Sequence, residues 1–448
     1  MNQGRLLDKP TDAAPDAGSE ATRSLKQGPK RLRRAVRDQV EFQSCALDDL
    51  LPEEHPARIV WDYVCGLDLS PLVEAIQAVE GDVGRSPADP RILMALWLYA
   101  TLRGVGSARE LDRRSTTELA FRWICGGVSM NYHTLSDFRT QHVELLDRLL
   151  TDGVASLLSQ DLVSLDRVAQ DGMKVRAAAG AASFRRRPTL EECLAEAEAQ
   201  VAALRAELES DTTAGTRRQQ AARRRAAEER ATRIRQALDQ LPQIEAAKKK
   251  EHKAKARAST TDPEARVMKM GDGGFRPAYN VQLATATDAQ VITGVAVTNS
   301  GGDQGQMLPM VEQHVERYAA APKEMLVDGG FVKKQDIEQL SPPHGGTTVY
   351  APVMASKDPE RDPHTPRADD PPGVAAWRTR MATAAAREIY KERASTAECV
   401  NAQARNRGMR QFLVRGVAKV KAVVLWFALA HNLMRAVTLR AATQLASA

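Results

Sequence analysis

Two apolar runs in this chain end on the same dipeptide, RVAQDG at Asp171-Gly172 and EMLVDGG at Asp328-Gly329. Each reads as a buried strand that stops on an aspartate, with glycine beyond it leaving room for backbone or ligand to approach. Asp-Gly is also a common turn dipeptide, so neither run alone marks a site. If the two strands are neighbours in one sheet, they place two carboxylates before one divalent cation. The fold must then join strands whose aspartates stand 157 positions apart.

The surrounding pattern suits such a sheet. YNVQLATATD and QVITGVAVTNS alternate on either side of a turn at Asp288–Ala289, a hairpin signal. A helix over 304–318, the strand EMLVDGG, a helix near 333–340 and the strand TTVYAPV follow. A polar, Pro-rich loop (356–373) leads to a long helix from about Trp377 to Arg407. The expected fold class is therefore α/β, a mixed layer sandwich. A length of 448 residues allows two to four structural units.

Upstream, residues 1–40 end in a basic run from Lys26 to Arg37, either a solvated flexible arm or a contact for a polyanion. Residues 41–155 read as a helical domain suited to DNA. RILMALWLYATLRG starts after Pro90, SARELDRRSTTELAFRWICGG stops at Gly126–Gly127, and NYHTLSDFRTQHVELLDRLL is capped by Thr134 or Ser136. A dimerising or purely structural bundle is the alternative. Between the first strand and the hairpin stands a charged insert, 185–258. Thr189 and Glu192 form a capping box there. Leu190, Leu194, Ala197, Val201, Leu204 and Leu208 form a heptad seam, Gly215 breaks it, and Ile234, Leu238 and Leu241 resume it on a second helix. Leu190–Asp211 carries seven acids and one Arg, whereas Arg217–Ala258 carries fourteen Lys and Arg against five acids. A solvated helical hairpin and a basic arm along DNA both fit. The catalytic region is then expected over 156–184 and 259–440.

Composition narrows the chemistry. The five cysteines are scattered without a Cys-x-x-Cys pair and no Cys/His cluster has zinc spacing, which favours oxygen ligands and Mg²⁺. His133, His142 and His431 read as surface or satisfied helix residues. The N-terminus has no apolar core like that of a signal peptide. The apolar run Ala422–Ala430 falls short of the about 20 residues that a span needs, so it reads as a buried helix and no membrane is expected. A third carboxylate comes from the long helix, where Glu388, Glu392 and Glu398 are available. Glu398 stands at the head of a tract with Arg405, Arg407, Arg410, Arg415, Lys419 and Lys421 and no acid among them, as a metal ligand beside a phosphate backbone requires.

Over residues 35–437 the sequence resembles insertion-sequence transposases of the DDE type, and among these the group named IS eleven-eighty-two, within the set carrying a Tyr-Arg-Glu-Lys signature. The phrases LDDLLPEEHPAR, GVGSAREL, FRWICGG and NYHTLSDFR carry the likeness, with VAQDGMKVRA, YNVQLAT, LVDGGF and YKERASTAECVNAQARNRGMRQFLVRGVAKV. The resemblance implies an RNase H-like mixed sheet flanked by helices, with a helical N-terminal domain and a helical-hairpin insertion. It implies Asp171, Asp328 and Glu398 as the catalytic and metal-binding acids, with Tyr390 and Arg393 on the signature.

Two departures stand out. Arg405 occupies the Lys position, seven after Glu398, and Arg393 precedes Glu398 by five residues rather than four. At about 100° per residue Glu398 and Arg405 stack within about 20°, whereas Arg393 lies about 140° round the helix. Arg405 is thus expected on a DNA end, Arg393 as a DNA contact or a helix brace, and Tyr390 as a DNA contact or a core residue. Lys174, Arg410, Arg415 and Lys419 complete the expected DNA contacts, with a solvated edge as the alternative for Lys174. The implied activity is cleavage of the ends of a mobile element and joining of its 3′ ends to target DNA. Two Mg²⁺ ions serve it, with Mn²⁺ as a substitute. The implied partners are double-stranded DNA, as terminal inverted repeats and target, and a second copy as a homodimer on DNA. The expected place is a bacterial cytoplasm, associated with the nucleoid. A nuclease of the same fold without strand transfer, or a DNA-binding protein with decayed catalysis, are the alternatives.

Overall fold

The computed structural model describes residues 44–78, 86–210, 214–355, 358 and 360–447; the basic arm expected over 1–40 lies outside them. Seven helices come first, α1 (Pro56–Cys65), α2 (Ser70–Glu74), α3 (Pro90–Leu102), α4 (Ala108–Thr117), α5 (Leu119–Cys125), α6 (Tyr132–Gln141) and α7 (Val143–Ser159). Helix α3 begins at Pro90 as expected, with Asp89 accepting from the Arg91 amide, and is buried on nearly every side. The stretch expected as one helix from Ser107 to Cys125 is broken at Glu118, whose extended backbone separates α4 from α5. The cap of α6 is Asn131 rather than Thr134 or Ser136, since its Oδ1 accepts from the Thr134 amide at 3.0 Å.

The chain then enters a mixed sheet: β1 (Arg167–Arg176), β4 (Arg266–Lys269), β5 (Phe275–Ala286), β6 (Ile292–Thr298), β7 (Glu324–Leu326) and β8 (Thr348–Tyr350), with a separate small pair, β2 (Phe184–Arg185) and β3 (Ala258–Ser259). Strand β1 pairs antiparallel with β5 and parallel with β7; β5 pairs antiparallel with β6 and β4, and β7 parallel with β8. The two Asp-Gly strands are therefore direct neighbours. One face of the sheet carries Met173, Val175, Tyr279 and Val281 into a core shared with the N-terminal helices. The other is covered by α10 (Met307–Tyr318), α11 (Lys334–Leu340) and α12 (Pro372–Met381).

Between β2 and β3 run α8 (Arg187–Ser210) and α9 (Ala214–Ala246). Ion pairs Arg187–Glu245, Glu198–Arg235 and Arg205–Glu228 join positions that fall on one helix as they rise on the other, so the two are antiparallel. Leu190 and Ala197 seal the seam against Ile234 and Leu241. Gly215 lies inside α9 instead of breaking it, and residues 211–213, where one helix gives way to the other, lie outside the described residues.

The long helix expected from Trp377 to Arg407 is four pieces: α12, α13 (Ala384–Arg393), a π-helical turn (Ala394–Glu398) and α14 (Cys399–Asn406). Thr383 interrupts the first two by capping α13, its Oγ1 accepting from the Ala386 amide. The last helix, α15 (Val417–Ser447), is longer than its apolar run suggested and is long and apolar enough to cross a membrane, but 67% of its apolar stretch is buried inside the protein. Trp426 on α15 donates to Arg139 O, and Trp97 on α3 to Leu135 O, so the N-terminal helices and the last helix share one core. His431 is a satisfied core residue, its Nε2 at 2.7 Å from Gln290 O and its pKa pushed down to about 4 by burial.

Helix α10 lies so close to β6 that a Cβ on Gly294 would meet Met310 Sδ at 2.4 Å and Ala284 Cβ at 3.1 Å. Gly294→Ala overpacks this layer and is expected to destabilise the protein by about 1–3 kcal/mol. A urea denaturation midpoint equal to wild type would contradict this packing.

Candidate active site

Strand β1 does not end at Asp171. It runs on to Arg176, and Asp171 stands mid-strand opposite Leu283 of β5. The Asp-Gly pair here is strand rather than turn, because β5 supplies a complete antiparallel ladder along it. Asp171 Oδ1 accepts from the Gly172 amide at 3.0 Å and Oδ2 from Asn401 Nδ2 at 2.9 Å. Burial pushes its pKa up to about 6; the Arg393 charge pulls against this and the Asp328 charge adds to it. Asp328 follows β7 as predicted, one residue past the Val327 amide that bonds Tyr350 O. It caps the short turn Gly329–Phe331, its Oδ1 accepting from the Gly330 amide at 2.7 Å.

Arg393 occupies the centre of the cluster, against the expectation that it faces away. The 140° offset assumed 100° per residue, but Ala394–Glu398 is a π turn, in which hydrogen bonds close five residues apart. The extra residue between Arg and Glu is absorbed there, and Arg393 Nη1 reaches Glu398 Oε1 at 3.3 Å. Its Nε donates to the Tyr390 hydroxyl at 3.3 Å, and its charge acts on both Asp171 and Asp328. Tyr390 is half-buried and feels the same two aspartates. Side-chain exposure is 12% for Arg393 and 58% for Glu398, so the guanidinium is the fixed partner and the carboxylate the free one.

A fourth acid, Asp303, was not expected. Asp303 follows β6 in the loop GGDQG, which reads as turn chemistry. Its Oδ1 accepts from Asn280 Nδ2 at 2.6 Å and Gln282 Nε2 at 2.7 Å, and Gln170 Nε2 donates to Gln282 Oε1 at 2.9 Å. Asp303 presses against the backbone after Asp171, since a Cβ on Gly172 would lie 2.1 Å from its Oδ1. Near Gly330, a Cβ would have Asp328 Oδ1 at 2.9 Å and Asp303 Oδ2 at 3.7 Å. Asn280 thus holds an acid of the site. Asn401 was also missed, although its place three residues after Glu398 puts it on a neighbouring helical position.

The remaining expected contacts are dispersed. Lys174 sits on β1 opposite Asn280, partly exposed. Arg405 and Arg410 are exposed at and beyond the end of α14, with Arg410 Nε donating to Arg405 O. Arg415 and Lys419 line a cavity of about 840 Å³ with Arg225 and Arg233 of α9.

A transposase domain model (DUF772) matches residues 45–141, and a transposase DDE domain model matches residues 372–437. Together the two domains support a DDE-type insertion-sequence transposase. No curated protein and no solved structure matches it. The DDE span holds Tyr390, Arg393, Glu398 and Asn401, while Asp171 and Asp328 lie between the two spans.

Divalent metals are usual for such transposases. Among the described residues no group of three His, Cys, Asp or Glu side chains stands ready to hold a metal ion. Glu398 faces Arg393 in this state, which leaves Asp171 and Asp328 as the mutually coupled pair. Two carboxylates with all-oxygen donors fit Mg²⁺, which keeps several waters and takes few protein ligands.

In the metal-free transposase the ionised Asp171 is a destabilising charge. Its folded pKa lies above its ordinary value of 3.8, so the penalty is full above pH 6 and vanishes as the pH falls towards 4. Asp171→Asn is therefore expected to raise stability at pH 8 by on the order of 1–3 kcal/mol in chelator, and not at pH 4. A melting temperature below wild type at pH 8 would remove the electrostatic account.

Proposed function

We propose that this DNA transposase cleaves the ends of its mobile element and joins the freed 3′ ends to target DNA, with Asp171, Asp328 and Glu398 as the catalytic acids. The observation that carries the reading is their convergence on one guanidinium, Arg393, from three segments distant in sequence. The order β6-β5-β1-β7-β8, with β8, β7 and β1 parallel and β5 and β6 antiparallel, supports an RNase H-like core. In this reading 156–184 and 259–440 are that core, α8 and α9 the insertion, and 41–155 the helical DNA-binding part.

Asp171 and Asp328 would hold the cations, with Glu398 available to join them once it leaves Arg393. A pair of Mg²⁺ ions, when bound, activates the attacking oxygen and stabilises the leaving one. Asn401 keeps the Asp171 carboxylate in a single orientation through its 2.9 Å bond. Arg393, released from Glu398, has its fork free for a phosphate. In the first step water displaces the 3′ oxygen from phosphorus; in the second the 3′ hydroxyl displaces an oxygen of the target strand. Each step makes one P–O bond and breaks one, so no protein nucleophile is required. Arg405, Arg410, Lys174, Tyr390, Arg415 and Lys419 are assigned to the DNA. Two copies meet on it to bring two ends together, in a bacterial cytoplasm close to the nucleoid.

Mg²⁺-dependent nicking of a plasmid carrying the element ends, followed by capture of the cut end in a second DNA, tests the reading. Asp171→Asn, Asp328→Asn and Glu398→Gln are each expected to abolish both steps. Strand transfer surviving in all three would overturn the site, and cutting without capture would point to a nuclease. Independently of activity, Mn²⁺ is expected to raise the melting temperature of wild type but not of Asp171→Asn, as ligand linkage requires. Equal shifts in the two proteins would place the cation elsewhere.

A further inference from the structure

Another pocket, of about 360 Å³ and with arginines set in a largely apolar wall, opens where the loop after α3 meets the loop after α14. The two loops touch backbone to backbone. Gly104 and Gly408 have φ of +69° and +89°, and a Cβ on Gly408 would lie 3.1 Å from Gly104 O. Arg114, Arg139, Arg407 and Arg410 line the pocket, with Glu110 as the acid among its lining residues. Glu110 is already engaged, at 2.7 Å from both Arg113 and Arg114.

Among the described residues neither Arg139 nor Arg407 has a carboxylate partner. Arg139 donates to Gly106 O and lies over the Trp97 ring, 4.7 Å from its centroid. The Nη1 of Arg407 is buried with no acceptor among the described residues. Burial alone pushes both guanidinium pKa values down, with no compensating acid. Buried charges are ordinarily paired, so two desolvated cations around one cavity indicate an anion supplied from outside. Guanidinium forks suit phosphate.

The pocket wall also continues the strand bearing Asp171. The Arg176 amide at the end of β1 donates to Arg410 O at 3.3 Å, and the Phe412 amide donates to Arg176 O at 2.8 Å. Arg176 is five residues beyond Asp171, roughly 16 Å along the strand. A DNA strand leaving the acids in that direction reaches the pocket.

We infer that this pocket is a phosphate site that grips a DNA backbone phosphate, with Arg407 as its main contact and Arg139 and Arg410 beside it. The inference rests on the transposase reading for the source of the phosphate and adds a contact shared by the N-terminal helices and the end of α14.

The test uses the full-length protein with a labelled duplex of arbitrary sequence, titrated between about 50 and 200 mM salt. Arg407→Gln is expected to reduce the slope of log K against log salt by about 0.9, one phosphate contact. Inorganic phosphate, compared with chloride at equal ionic strength, is expected to raise the melting temperature of wild type and not of the variant. If Arg407→Gln does not fold, Arg407→Met, which keeps the apolar stem, takes its place. An unchanged slope in a folded variant overturns the pocket even if free phosphate still stabilises, and leaves the transposase reading intact. A wild type that does not bind the duplex overturns that reading itself.

Discussion

Arg393 is the charge that lets the acids of this protein stand together. Asp171 is largely removed from water and faces the field of Asp328, and both effects oppose its ionisation. A guanidinium within a few ångströms acts in the opposite sense, typically by one to three pKa units. Arg393 supplies that field to both aspartates while bonding Glu398 and Tyr390. It reaches all of them because the chain makes a π turn immediately after it. An ordinary α-turn would rotate Glu398 away from Arg393 and leave the guanidinium facing the two aspartates alone.

That turn also marks the limit of what the sequence could tell. The strands around Asp171 and Asp328, the β5–β6 hairpin and the α8–α9 seam were legible because their apolar periods are long and regular. The relation of Arg393 to Glu398 was not, because a helical wheel assumes the very periodicity that the π turn alters. Asp171 appeared to end a strand, since Asp-Gly in isolation favours a turn; a ladder with β5 on one side and β7 on the other overrides that preference. Asp303 stayed hidden for the opposite reason. Its loop does turn, and only the register of Asn280 and Gln282 on β5 shows that the carboxylate is held over the sheet.

The burial of α3 and α15 in one core has a mechanical consequence. Trp97, Trp426 and Phe427 pack among residues of the sheet face that includes Met173 and Val175, the alternate positions following Asp171. The N-terminal helices are thus fixed to the strand that carries the first acid. An arginine on α6 and one beyond α14 can therefore keep a constant relation to the site, which interchangeable flexible domains would not ensure.

A layer of carboxamides lies under the acids, and its energetics run against stability. Gln170, Asn280 and Gln282 are fully buried, Asn401 nearly so, and Gln170 Oε1, Asn280 Oδ1 and Asn401 Oδ1 find no donor among the described residues. Each orphaned group of this kind costs on the order of 1–3 kcal/mol. Apolar side chains at these sheet positions would pack without that cost, as Val281 and Leu283 do on the same strand. What the amides provide is direction. Asn280 and Gln282 donate to Asp303 and Asn401 to Asp171, while Gln170 braces Gln282, fixing acceptors that would otherwise rotate. A site that must receive a cation and a phosphate in set positions gains from carboxylates already oriented. Stability lost in the polar layer is matched by the apolar core on both faces of the sheet, which keeps the strands in register beneath it.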